Sequence, residues 1–342
     1  MNRVDPMWTE EARALRESVR TLLARRSGPA AVRAAMASPL GYDDKLWSTL
    51  CEQIGVAALA IPEEYDGAGA TLAEACVVLE ELGRTLTPAP MLGSAVLCGQ
   101  ALLLTGDDEA CRRLLPGIAA GSSVAALAWS GEDGRWSPAC VFADGRVDGR
   151  AHYVLDGDLA DVLLVVARTP EGPGLFEVAP ADARREPVTT LDPARRLAVV
   201  SLEAAPARRL DTGGFDLGRL RALAVVALAA EQVGAAARAL ELTVEYTKQR
   251  RQFGRPIGGF QALKHRMADV HVHVEAARSA LYGALTGDDL EADAATARLV
   301  CSEAFQHAAA EMIQLHGGIA ITWEHDAHLY FKRAHGSALL FG

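Results

Sequence analysis

Aromatic residues make up only 6% of this 342-residue chain, and its six cysteines form no recognisable pattern. Cys51, Cys76, Cys98, Cys111, Cys140 and Cys301 include no CxxC pair and no metal-type spacing. Six buried free thiols in a reducing cytoplasm, and no metal, are therefore expected. Positive charge is also short. The formal net charge is −10, which argues against nucleic acid as the main partner. No apolar run approaches the length of a membrane span, and the start, MNRVDPMWTEEARALRESV, mixes acids with arginines. Neither a span nor a signal peptide is expected from it.

What the chain does have is helical periodicity at both ends. Half of its residues are hydrophobic, and Ala12, Leu15, Val19, Leu22 and Leu23 recur at helical spacing. Helix is also expected near 45–54, after Thr71 (a capping box with Glu74), and through 93–120. From Ser122 the texture changes to short apolar or alternating runs separated by Asp-Gly and Pro-Gly turns, as in antiparallel β structure. Long helical stretches return near 217–250, 259–284, 288–315 and 323–335. The expected organisation is α+β, mostly α: a helical domain over 1–120, a middle antiparallel, barrel-like β domain over 121–211, and a C-terminal four-helix bundle over 212–342.

One stretch, RRQFGRPIGGFQ from Arg250 to Gln261, joins chemistry to this frame. Basic residues at a helix end suit the helix dipole. Three arginines beside Phe253 on a turn stiffened by Gly254, Pro256 and Gly258-Gly259 also suit a phosphate attached to a ring system. Other candidates are poorer. His271 and His273 lie on opposite sides of a helix, and His325 and His328 lack a third ligand. The glycine pairs within 131–149 read as hairpin turns rather than a dinucleotide loop.

Three segments resemble the acyl-CoA dehydrogenase family of flavoproteins, in the family's order: IPEEYDGAGATLAEACVVLEELGR, YTKQRRQFGRPIGGFQALKHRMADV and QLHGGIAITWEHDAHLYFKRA. The resemblance implies FAD as cofactor, an acyl-CoA substrate, and an acceptor such as electron-transfer flavoprotein. It also implies that Arg250 and Gln252 bind the FAD pyrophosphate of a neighbouring subunit, with Phe253 alongside. Gln314, Gly317 and Gly318 would line the adenine end, with Gln261 as a further candidate.

The resemblance fails where the family's base should be. Counting 27 residues from Gln314 falls on Phe341, and the alternative family position falls on Ala224. Glu231, about 10 Å further along the same helix, is the remaining candidate, or else an interior carboxylate partnered by arginine. WSGEDGRWSP replaces the family's Thr-Glu-Pro-Gly-x-Gly-Ser-Asp, and Tyr153-Val154-Leu155 replaces its Trp-Ile-Thr, keeping a ring and losing a hydroxyl. The sequence ends at Gly342, where a further flavin contact would begin. The expectation is a subunit that lends FAD contacts to a homologous partner, in an α2β2 assembly of the kind that acts on steroid side chains attached to CoA. The alternatives are a flavin monooxygenase or oxidase of the same fold, and a scaffold without chemistry.

Overall fold

A computed structural model describes residues 9–211 and 213–342. Residues 1–8, used above to exclude a signal peptide, and Thr212, at an expected domain boundary, lie outside the described residues.

The N-terminal part is helical: α1 (Glu10–Arg26), α2 (Pro29–Ala37), α3 (Asp44–Ile54) and α4 (Leu72–Thr85), then a π-helical segment (Met91–Cys98) that continues as α5 (Gly99–Leu103), and α6 (Asp108–Ala119). Local chemistry sets the starts. Thr9 Oγ1 accepts from the Ala12 N–H at 3.0 Å, and Asp43 and Asp107 cap α3 and α6 in the same way. Thr71 and Glu74 form the expected capping box on α4. Helix α2 was not legible in the periodicity. It is nine residues long and begins at Pro29, a residue already preset for a first helical turn.

Seven strands follow: β1 (Ala125–Ala128), β2 (Cys140–Ala143), β3 (Arg146–Leu155), β4 (Val162–Thr169), β5 (Gly172–Val178), β6 (Ala183–Val188) and β7 (Leu197–Arg209). The pairings β4–β2–β3–β7–β5 close back on β4, so five strands form a ring, with β1 added on β4 and β6 on β7. Most pairs are antiparallel, but β1 and β2 both run parallel to β4. That departs locally from the wholly antiparallel expectation. The buried run of β1 reads the same in either direction, because it presents no solvent face to alternate. Strand β6 was unread because ARREPV is charged and carries a proline near its end, the composition of a protected edge.

The C-terminal bundle comprises α7 (Leu217–Gln249), α8 (Gln261–Thr286), α9 (Leu290–His316) and α10 (Ala327–Leu339). Between α7 and α8, β8 (Arg251–Gln252) and β9 (Arg255–Pro256) form a short hairpin. Helix α7 is long and apolar enough to cross a membrane, but most of it is buried as the central helix of the fold. It crosses α4 at two reciprocal glycines. A Cβ on Gly83 would stand 2.1 Å from the Glu231 carbonyl oxygen, and one on Gly234 would stand 1.9 Å from that of Glu80. Only glycine allows backbones so close.

Candidate functional site

The sequence-selected residues gather at one end of the bundle. Helix α7 ends at Gln249, and Arg250, Gln252 and Phe253 follow on the β8–β9 hairpin, all exposed. Phe253 is 90% exposed and adopts a left-handed φ of 50°, so its ring stands clear of the hairpin apart from an edge contact with Phe260. The Arg255 guanidinium lies 4.0 Å from the Phe260 ring centre, which stiffens the turn. Among the described residues the Arg250 guanidinium has no ion pair or hydrogen bond, whereas most arginines of the core are paired. Its charge points outward, unspent.

The Gly317–Gly318 turn is held beside this hairpin. Tyr246, four residues before Arg250, stacks on His316 at 4.2 Å, and its hydroxyl donates to the His316 carbonyl at 3.2 Å. Burial pushes the His316 imidazole below its usual pKa, so the stack holds a neutral ring. Gln261 opens α8 and Gln314 lies in the last turn of α9, both exposed. The Arg266–Glu311 pair, at 2.6 and 2.8 Å, fixes the register that places them at the same end. A left-handed φ explains Gly317. Gly318 has no such reason, and a Cβ there would meet nothing within 4 Å.

A second region, between barrel and bundle, is where the resemblance would put this chain's own flavin ring and base. A cleft of about 510 Å³ runs there, lined by Trp129, Tyr153, Arg195 and Phe341 among others. A register shift in β3, with Tyr153 at φ 57°, turns Tyr153 towards the cleft, while Leu155 lines a smaller cavity of about 40 Å³ on the other side. Phe341 is fully buried against Trp129 and Trp136, whose rings stack at 4.4 Å, and the Trp136 indole donates to the Phe341 carbonyl at 2.9 Å. Ala224 is buried too.

Glu231 is present but engaged. Arg195 donates to its carboxylate at 2.5 Å, Arg333 donates to the same oxygen, and Arg333 also pairs with Asp192. Burial alone would raise the Glu231 pKa; Arg195 and Arg333 outweigh it and hold the carboxylate below its usual range. A carboxylate so stabilised is a poor proton acceptor. The reading of Glu231 as a base gives way to that of an interior carboxylate partnered by arginine. Sequence reasoning missed its partners, which lie 36, 102 and 141 residues apart across the three contacts and leave no local pattern. It also missed Asp156, at the small cavity, whose pKa burial and then the neighbouring Asp158 push up to about 7.

The fit to FAD therefore differs between the two regions. The outward set supplies a forked cation, an amide and an open glycine turn. The cleft instead has Glu132 and Asp133 in its wall, and its one lining guanidinium with a known partner is held by Glu231.

Comparison with known proteins decides the family. Residues 9–122 match the acyl-CoA dehydrogenase N-terminal domain, and residues 216–342 match the acyl-CoA dehydrogenase C-terminal domain. The chain belongs to the acyl-CoA dehydrogenase family. Members of this family are FAD-binding oxidoreductases that act on CH–CH bonds. The acyl-CoA dehydrogenase IpdE2 of Mycobacterium tuberculosis is 50% identical over 97% of this chain and 93% of its own length. IpdE2 of Mycolicibacterium smegmatis is 46% identical over 98% and 95%. Among solved structures, the ChsE4-ChsE5 complex from Mycobacterium tuberculosis superposes with a TM-score of 0.89 at 30% identity, over 98% of this chain and 94% of that one. The Tcur3481-Tcur3483 steroid acyl-CoA dehydrogenase gives 0.88 at 33% identity, over 96% and 93%.

Proposed function

We propose that this acyl-CoA dehydrogenase chain is the partner subunit of a hetero-oligomeric enzyme, lending FAD contacts across an interface to a homologous subunit that carries the base. The outward-facing set at the bundle end carries this reading. Arg250 would grip the pyrophosphate with a planar fork, Gln252 would add an amide donor, and Phe253 would pack alongside. Gln314, with the open backbone at Gly317 and Gly318, would receive the adenine end, and Gln261 would stand at its edge. FAD held there supplies the hydride acceptor for α,β-dehydrogenation of an acyl-CoA. At the positions where the family places its base no carboxylate stands ready, since Phe341 and Ala224 cannot take a proton, and the nearby Glu231 is bound by two arginines.

A steroid CoA thioester is the proposed substrate class, supported by the solved steroid relative and by the paired subunits in both solved complexes. An α2β2 assembly, a cytoplasmic location and an acceptor such as electron-transfer flavoprotein complete the proposal. The test is co-expression with a homologous subunit that carries the base, followed by FAD quantitation. One FAD per pair of unlike chains is expected. Yellow, active protein from this chain alone would overturn the reading.

A further inference from the structure

Another cavity, of about 410 Å³, lies between the N-terminal helices α1, α2 and α4 and the bundle helices α7 and α10. It shares no lining residue with the cleft between barrel and bundle or with the outward FAD-lending set. Its size is that of a small-molecule site. Its walls are apolar, built from side chains buried in the fold: Leu23, Val32, Leu86, Leu329 and Tyr330. The polar groups around it are of three kinds. The hydroxyls are spent inside the protein: Ser27 and Thr85 share the Thr87 hydroxyl, at 2.6 Å each, and Tyr330 donates to the Arg84 carbonyl at 2.6 Å. The acids are taken, Glu81 by Arg20 and Asp326 by Arg33, both at 2.7 Å. The guanidiniums are not used up. Among the described residues, Arg20 Nη1, Arg84 Nη1, and Arg238 Nε and Nη2 donate to no protein group. On Arg84 and Arg238 these nitrogens are not buried atoms, so a ligand can reach them.

The charge balance says which kind of ligand. Arg84 and Arg238 share Glu241, and Arg84 also approaches Glu81, the partner of Arg20. Arg16 comes within 3.8 Å of Glu81 but pairs with Glu80 at 2.8 Å. Three lining guanidiniums therefore face two carboxylates, Glu81 and Glu241. Arg84 and Arg238 are only 13% and 33% exposed, so water screens the surplus incompletely. A cation would add to that surplus and a neutral molecule would leave it, whereas a single negative charge evens the count. A carboxylate also fits the planar guanidinium fork. We propose that this cavity binds an apolar monocarboxylate, its hydrocarbon body against Leu23, Val32, Leu86 and Leu329 and its carboxylate on Arg84 and Arg238.

The test is calorimetric titration of the full chain with octanoate, 1-octanol and acetate, which separate the charge from the hydrocarbon. Octanoate should bind saturably and at least about tenfold more tightly than 1-octanol, the increment of one charge-assisted contact. Acetate has almost no apolar surface to bury and should bind at least about a hundredfold more weakly than octanoate. Arg238→Gln leaves Arg84 on Glu241 and Arg20 on Glu81, so two guanidiniums meet two carboxylates and the surplus is gone. In that variant octanoate should lose about tenfold in affinity while 1-octanol binding persists, which shows that the cavity is intact. Octanoate no tighter than 1-octanol, acetate as tight as octanoate, or no saturable binding would each overturn the proposal. So would undiminished octanoate binding in Arg238→Gln, or loss of 1-octanol along with it. None of these measurements involves FAD or a second subunit, so a failure here leaves the partner-subunit reading standing, and the reverse holds.

Discussion

Arg250 and Asp156 are single side chains whose surroundings make opposite demands. Arg250 is exposed and its guanidinium unengaged within the described residues. Removing it as Arg250→Ala should leave the unfolding midpoint of the chain nearly unchanged. In the assembled enzyme it should weaken FAD binding about ten- to a hundredfold, measured by titration, and Arg250→Lys should recover little because a point charge lacks the fork. Unchanged affinity would reduce the cation to a helix-end ornament. Asp156 instead has its pKa pushed up to about 7 by burial and Asp158. Its folded value lies above the usual unfolded value of about 3.9. The folded state thus holds this proton more tightly, and the stability so gained is complete in acid and lost as pH rises from about 4 through 7. Asp156→Asn keeps a residue that tolerates the left-handed φ of 52° found there. Its urea midpoint should exceed that of the wild type by more at pH 8 than at pH 5. The same offset at both values would show that the carboxylate titrates normally.

At the scale of elements, α4, α7, α10 and the segment before β7 are locked by contacts that local sequence does not announce. Gly234→Ala removes a poor helix former, which alone favours the helix by about 1 kcal/mol. The clash with the Glu80 carbonyl should reverse that sign and destabilise the chain, by roughly 1–3 kcal/mol of overpacking in a denaturant titration. Glu231→Gln should cost about 3–5 kcal/mol, since it leaves Arg195 and Arg333 facing a neutral group in the interior. The double change Glu231→Leu with Arg195→Met should recover much of that loss, because the Arg333–Asp192 pair survives. The sequence was most legible where the cause was local, although the short α2, opened by Pro29, escaped it. Thr71 announces α4 through Glu74, three residues on. Strand β6, the parallel pairing on β4 and the Glu231 cluster depend on partners brought in by the fold. The turn after Arg250 was legible for a different reason: the glycines and proline that shape it are written in one run of twelve residues.

At the scale of the whole molecule, the barrel and the bundle meet around a cleft whose far wall is sealed by Trp129, Trp136 and Phe341. Phe341→Glu restores a carboxylate at the position indicated by the family spacing, yet it should yield no dehydrogenase activity and should lower the melting temperature, because the residue is fully buried among those rings. Activity in the chain alone would show the cleft to be a dormant catalytic site. The buried thiols offer a way to watch this architecture open. All six are inside, five in the helical core and Cys140 in the barrel core. Burial raises the thiol pKa of Cys140 to about 11 and that of Cys301 to about 12, so little reactive thiolate exists in the folded chain at neutral pH. A slow alkylating reagent should therefore mark each cysteine only when its surroundings open. If barrel and bundle open as one unit, Cys140 and Cys301 will acquire label at the same rate, and mass spectrometry of the two peptides becomes a two-handed clock for cooperativity.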